Sequence, residues 1–241
     1  MISYRKLAMR VLGHPLRVPT NTPRPASHRV TALALTAAMV AGMAAPAYAD
    51  AGTTINITDG TIEKAESKNG GAGIGSGYIG GSSTVNISGD AELKDVRGGN
   101  LAAGIGSGYG SDKVDVVIDG GTINATGSFN AAGIGSGDNG PSSVTISGGT
   151  ITATSTSEAP AIGGGSVSIS NTDAELDITA TAPNADNAIR SKDGKNLDEV
   201  IQLAENGKKG LVKLVKSGTT SISRLFHNGV YADSHSTPPT A

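Results

Sequence analysis

The chain has no Cys, no Trp and only 2 Phe among its 241 residues. Without thiols there is no disulfide framework, no thiolate metal site and no cysteine nucleophile. Aromatic residues at 3% rule out a flat tryptophan platform for sugars, and any core must be built from Ile, Val, Leu and Ala. Histidine is scarce as well, with only His227 and His235 beyond residue 50, and neither G-x-S-x-G nor H-E-x-x-H occurs. Basic side chains are thin in the body: residues 50–182 carry 5 against 15 acidic ones, a balance of −10, while residues 183–241 balance at +2. An acidic body repels polyphosphates, which excludes nucleic acid as a partner and leaves divalent cations or neutral and basic surfaces.

Acid is also missing from the first 49 residues, which hold six basic side chains: Arg5, Lys6, Arg10, Arg17, Arg24 and Arg29. An apolar run from Val30 to Ala45 follows, then Pro46-Ala47-Tyr48-Ala49-Asp50. Charge, short apolar segment and small-x-small site are the order that a translocase and signal peptidase read. Residues 1–49 are therefore expected to be a Sec-type signal peptide cleaved after Ala49, giving a secreted or cell-surface protein. The apolar stretch is shorter than the ~20 residues a spanning helix needs, so no membrane insertion is expected.

Glycine is abundant, at 35 residues, and much of it repeats. The hexad A-G-I-G-S-G occurs at 72–77, 103–108 and 132–137, and a decayed copy reads Pro160-Ala161-Ile162-Gly163-Gly164-Gly165. Steps of 31, 29 and 28 between Ile74, Ile105, Ile134 and Ile162 indicate a solenoid. Between the hexads, segments such as Val85-Asn86-Ile87, Val117-Ile118 and Val144-Thr145-Ile146 precede Gly- or Asp-containing bends and a further apolar strand. Alternation places the aliphatic side chains on one face, and the bend residues turn the chain without ending it. Stacked coils predict one interior ladder through Ile74, Ile105, Ile134 and Ile162, a second through Ile87, Ile118, Ile146 and Ile169, and a third through Leu93, Ile123 and Ile151. The expected fold is all-β, a right-handed parallel β-helix over residues 50–182, with a small mixed α/β cap over 183–241.

The alternation of AGIGSG with V-x-I-S-G-G-T-I-x-A resembles the AGIGGG-type repeats of secreted bacterial right-handed β-helix proteins, over about residues 53–180. The resemblance implies a cell-surface protein that is carbohydrate-binding or adhesin-like, in a group that includes binders of acidic polysaccharide with calcium. Ser76, Ser107 and Ser136 depart from the motif's middle Gly, and the copy number is small.

A stacked sheet needs capped ends. Asn196–Gly207 has helical apolar spacing, a possible Asn196 N-cap and a Gly stop, which predicts a short amphipathic helix. Leu211–Lys216 predicts a strand, Ile222–Ala232 a hairpin about Asn228-Gly229, and residues 236–241 a disordered tail. No sortase-like signal, spanning helix or second apolar tail follows, so the expectation is either release or non-covalent retention, or a fragment of a longer surface protein whose linker begins here.

Two G-x-G-x-x-G matches, at 75–80 and 135–140, lack the helix that dinucleotide binding requires. Asp59, Asp90, Asp119 and Asp138 lie in Gly-containing bends, either as Asx-turn residues or as oxygen ligands for calcium, the first three in a row along stacked coils. Tyr78 and Tyr109 directly follow the hexad and are the candidate sugar contacts, an aromatic pair stacked in neighbouring coils. Thr150, Thr152, Thr154 and Thr156 suggest an ice-binding array that other coils do not continue. A lyase would need a base, and Arg97 or Lys94 near Asp90 are the candidates. The reading is a non-catalytic binder of a polysaccharide or surface glycan, with calcium as the candidate cofactor. The alternatives are a spacer or adhesin segment whose partner is a host or microbial surface protein, and a calcium-dependent polysaccharide lyase.

Overall fold

The computed structural model describes residues 53–172 and 174–228, together with the backbone of 35–36 and 47–49. The expected signal peptide is thus outside the described residues, apart from those backbone segments. So are Gly229 and the tail.

Aliphatic side chains at alternate positions leave each strand with one face that must be removed from water. The chain buries that face by winding, so that every coil lays its strands parallel on those of the coil before. Face 1 is built from Thr53–Ile57, Ser83–Ile87, the first parts of Val114–Gly127 and Ser142–Ser155, Ser166–Ser170 and Ile201–Gln202. Face 2 runs through Thr61–Ile62, Ala65–Glu66, Glu92–Arg97, the second parts of the two long strands, Leu176–Ala182 and Gly210–Lys216. Face 3 stacks Ala47–Ala49, Ile74–Ser76, Ile105–Gly106, Ile134–Gly135, Ile162–Gly164 and Ile189–Ser191. The fold is a right-handed parallel β-helix, the hand that parallel crossovers adopt.

The three expected ladders are present, and each is longer than expected. Ile74, Ile105, Ile134 and Ile162 pair in register and continue to Ile189. Ile87, Ile118, Ile146 and Ile169 extend to Ile57 below and Ile201 above. Leu93, Ile123 and Ile151 extend to Ile62, Ile178 and Val212. These side chains fill a narrow core without a single fully buried aromatic ring among the described residues. At roughly 1.5–3 kcal/mol for each aliphatic side chain buried, the ladders are the main source of stability.

The last coil shows how far the stack reaches. Helical spacing over Asn196–Gly207 yields helix only at Leu197–Val200, capped by Asn196 in a reciprocal capping box with Glu199. Ile201–Gln202 then leaves the helix and pairs with Ile169 and Ser170. The open edge of face 1 offers unpaired backbone groups, and satisfying those outweighs another helical turn. Gly210–Lys216 similarly pairs along the whole of Leu176–Ala182, so the sheet runs on past residue 182.

Ile222–His227 folds antiparallel onto Gly210–Lys216 through a turn at Ser217–Ser221, a pairing that was not expected, while the second arm of the hairpin expected about Asn228-Gly229 lies outside the described residues. Asn228 is buried and holds a loop: its Nδ2 donates to the carbonyls of Ala204 and Lys208, and its Oδ1 accepts from the Gly210 N–H. Fully buried Asn171 holds the same loop, donating to Ala204 and Lys208 carbonyls and accepting from the Ala204 N–H at 2.8 Å.

Candidate functional site

The repeated hexad is a pinched loop more than a strand. The Ala72 N–H donates to the Ser76 carbonyl at 3.0 Å, and Ala103 to Ser107 and Ala132 to Ser136 do the same at 3.0 and 2.9 Å. Closing the loop sends Ile inward and brings the two chain arms together. The second Gly of the motif carries the strain: Gly75, Gly106 and Gly135 have φ of 138°, 129° and 120°, and a Cβ there would overlap the next coil's carbonyl oxygen.

The pinch also sets out a row of side chains immediately beyond it. The Ile79 N–H donates to the Tyr109 carbonyl and the Gly110 N–H to the Asp138 carbonyl, so Tyr78, Tyr109 and Asp138 occupy one column of successive coils. The residue after each one is left-handed, with φ of 50° at Ile79, 60° at Gly110 and 54° at Asn139. Holding a β-branched Ile in that region is costly, and Ile79 is 65% exposed, so its own burial does not offset the strain.

Tyr78 and Tyr109 stack with ring centroids 5.6 Å apart and planes 15° from parallel. Tyr78 is 59% exposed. With Lys68, Asn69, Asn100 and Leu101 the pair lines a surface groove of about 770 Å3. Gly70 gives the ring its seat, since a Cβ there would come within 2.5 Å of the Tyr78 ring.

The aspartates divide into two groups. Asp59, Asp90 and Asp119 are exposed at the bends between faces 1 and 2. Their bends are not superimposable: counted from paired Ile57, Ile87 and Ile118, the acids stand two, three and one residues along. Asp59 accepts from the Gly60 N–H at 2.7 Å, the local bond of a turn residue. Asp138 lies on the Tyr column, at the far side of the hexad. Among the described residues no three His, Asp or Glu side chains gather closely enough to hold a metal.

Lys94 and Arg97 project from face 2 and do not line the tyrosine groove. Lys94 bonds Glu63 at 2.8 Å and Arg97 bonds Asp95 at 2.6 Å. The hydrogen bond that Lys94 donates to Glu63 holds its ammonium above the usual lysine range, which keeps it protonated and unable to accept a substrate proton. The threonine array, by contrast, does continue into other coils. Thr122 pairs with Thr150, and Thr126, Thr154 and Thr181 align, as do Thr152 and Thr179. It ends against Glu92 and Arg97 on one side and Lys213 on the other, only three coils deep.

A second recess was not anticipated. The decayed hexad has Pro160 where Ala72, Ala103 and Ala132 donate, and proline has no N–H. The loop after it is short too, with 7 residues from Ile162 to Ile169 against 13 from Ile74 to Ile87. An unclosed coil with a missing loop leaves a notch of about 520 Å3, bordered by Asp138, Glu158, Arg190 and Lys192. The signal that locates it in the sequence is Pro160 inside the repeat.

Three segments, residues 55–78, 116–138 and 144–166, match the family model described as beta helix repeat. The chain carries β-helix repeats. Each matched segment begins on face 1, passes through face 2 and ends just after the Ile of face 3, so one repeat is one coil. No curated protein and no solved structure matches the chain. No helix among the described residues is long and apolar enough to cross a membrane.

Proposed function

We propose that this β-helix repeat protein is an exported, non-catalytic carbohydrate-binding protein that holds a polysaccharide or surface glycan in the groove beside Tyr78 and Tyr109. The stacked tyrosine pair carries the reading. A chain with 3% aromatic residues sets two of its rings in parallel at the solvent, on adjacent coils, instead of in its core. Ring faces pack on the C–H surfaces of sugars, and Asn69, Asn100 and Lys68 supply hydrogen-bonding groups along the same groove. The strained backbone at Ile79 supports a role for this loop, because strain unrelieved by burial is concentrated where geometry is needed for binding.

The test is retention of the full chain on a polysaccharide panel, with calcium and with chelator, while the same samples are assayed for unsaturated products. Retention without product is expected, and the Tyr78→Ala/Tyr109→Ala variant should lose it at least tenfold. Loss with chelator would assign calcium a part, with Asp138 the first of the four aspartates to replace because it shares the tyrosine column. Retention unchanged in the double variant would overturn the reading.

Exposed Ile79 and Phe129, at 65% and 62%, favour a second reading, a module that contacts a surface protein through the loops beside face 3. That module would bind no glycan, and Ile79→Ser/Phe129→Ser would abolish its adhesion.

A further inference from the structure

Ion pairs hold at least seven of the 13 Lys and Arg side chains among the described residues. Lys64, Lys94, Arg97, Lys113, Lys195, Lys209 and Lys213 each form an ion pair with a carboxylate. Arg190 and Lys192, at the notch left by Pro160, have no carboxylate partner among the described residues, although Asp138 and Glu158 border the same recess. Two cations and two anions therefore share one cavity without neutralising each other.

The fold explains how they are kept apart. Arg190 stands on the last coil's face 3 strand, directly above Gly163 in the column that begins with Gly75, Gly106 and Gly135. Lys192 follows it, its backbone N–H bonded to the Gly164 carbonyl. Asp138 belongs to the tyrosine column one coil before the notch, fixed by its own N–H on the Leu101 carbonyl. Glu158 precedes Pro160 on the incoming arm. Stacked backbone thus places the two signs on different coils, with glycine between them as the floor.

We propose that the notch binds a small zwitterionic unit, its carboxylate received by Arg190 and Lys192 and its ammonium by Asp138 and Glu158. About 520 Å3 lies within the roughly 300–1,000 Å3 of small-molecule sites and holds one or two sugar or amino-acid units. A planar guanidinium suits a carboxylate, and polar Asn130 and Asn139 line the same recess. This chemistry is shared by an α-amino acid or short peptide with free ends and by a sugar that carries both an amine and a carboxylate. The site is separate from the tyrosine groove and does not rest on the glycan reading there.

The decisive experiment titrates the full chain, by calorimetry or chemical-shift perturbation, with two unblocked probes: dialanine and an amino-uronic monosaccharide. Each is paired with its N-acetylated form and its carboxyl-amide form. At least one unblocked probe should bind, and blocking either end should weaken it tenfold or more; which probe binds identifies the source. Arg190→Gln should erase the preference for a free carboxylate and Glu158→Gln the preference for a free amine, with thermal melting unchanged in both. Tyr78→Ala/Tyr109→Ala should leave this binding intact. Failure of both unblocked probes, equal binding of blocked forms, or indifference to Arg190→Gln would overturn the proposal. Loss in the tyrosine variant would do so too, by placing the binding in the other groove.

Discussion

The coils at Ile74, Ile105 and Ile134 and the coil at Ile162 share their ladder, their register and their core, yet they use one carbonyl differently. In the first three it accepts from the coil's own Ala N–H and closes the pinch. In the fourth, with Pro160 in place of that Ala, the Gly164 carbonyl accepts from Lys192 in the next coil at 3.0 Å. Closed coils present a regular row of side chains, Tyr78, Tyr109 and Asp138. The open coil presents a cavity. One missing donor in a repeat separates a ridge from a notch, on a scaffold whose interior is the same in both.

The sharpest way to break the comparison is to attack the pinch itself. Gly106→Ala adds a Cβ that meets the Gly135 carbonyl oxygen, at a φ of 129° that L-residues avoid. Backbone strain and backbone overlap together predict a loss of about 4 kcal/mol, read as a drop in Tm or in the denaturant midpoint. The equivalent position of the last coil is Arg190, so the strain belongs to the closed coil and not to face 3 as such.

Next in size is Asn171→Ala, at the open end. There the loop 203–209 is held by buried asparagine amides and not by stacking on another coil. Removing Asn171 leaves the Ala204 N–H without its side-chain acceptor, and the expected loss is about 3 kcal/mol. Hydrogen exchange should report it first at Ala204 and then across the C-terminal coil. A uniform change along the whole solenoid would show that the end is not held locally.

The ladders were legible because alternation and a near-constant period fix which residue stacks on which. The column Ile74, Ile105, Ile134, Ile162 needed only counting. Tyr78 and Tyr109 were legible for the same reason. The row of Asp59, Asp90 and Asp119 was not, because the acid stands two, three and one residues past the paired Ile of its own coil while the flanking ladders stay in register. The last coil was hidden behind helical spacing in Leu197–Leu203, where a sheet edge, a tertiary feature, decides the outcome. The notch was written in Pro160, but its consequence depends on knowing that the Ala it replaces donates a hydrogen bond.

Pro160→Ala tests that last point with a smaller effect. The restored N–H gains about 1 kcal/mol if it closes on Gly164, and the loss of proline's restraint on the unfolded chain costs about 0.4–1 kcal/mol, so stability should hardly change. The informative readout is the new amide. Slow exchange at residue 160 is expected, matching Ala72, Ala103 and Ala132. Exchange at the rate of a free chain would mean that the shortened loop, and not the proline, holds the coil open.

The smallest expected effect concerns acid stability, and it again separates the two regions. In the closed part, Asp115 is held below the usual carboxylate range by its hydrogen bond from Lys113, helped by Ser143 of the next coil. At the open end, Asp193 is lowered by the Ser191 hydroxyl at 2.6 Å and by the Lys195 N–H, and the same Ser191 oxygen accepts from the Val167 N–H. A carboxylate with a depressed folded pKa binds fewer protons folded than unfolded, so its contribution is present above the ordinary value of 3.8 and is lost as pH falls through the lowered one. Tm should therefore decline below about pH 4, gently, since both groups are partly solvated. Asp193→Asn should flatten that decline at the C-terminal coil and Asp115→Asn at the central coils, as residue-resolved exchange between pH 3 and pH 5 would show. An acid limb unmoved by either variant would assign it to the exposed pairs on face 2 instead, where Lys64 draws Glu66 down in the same direction.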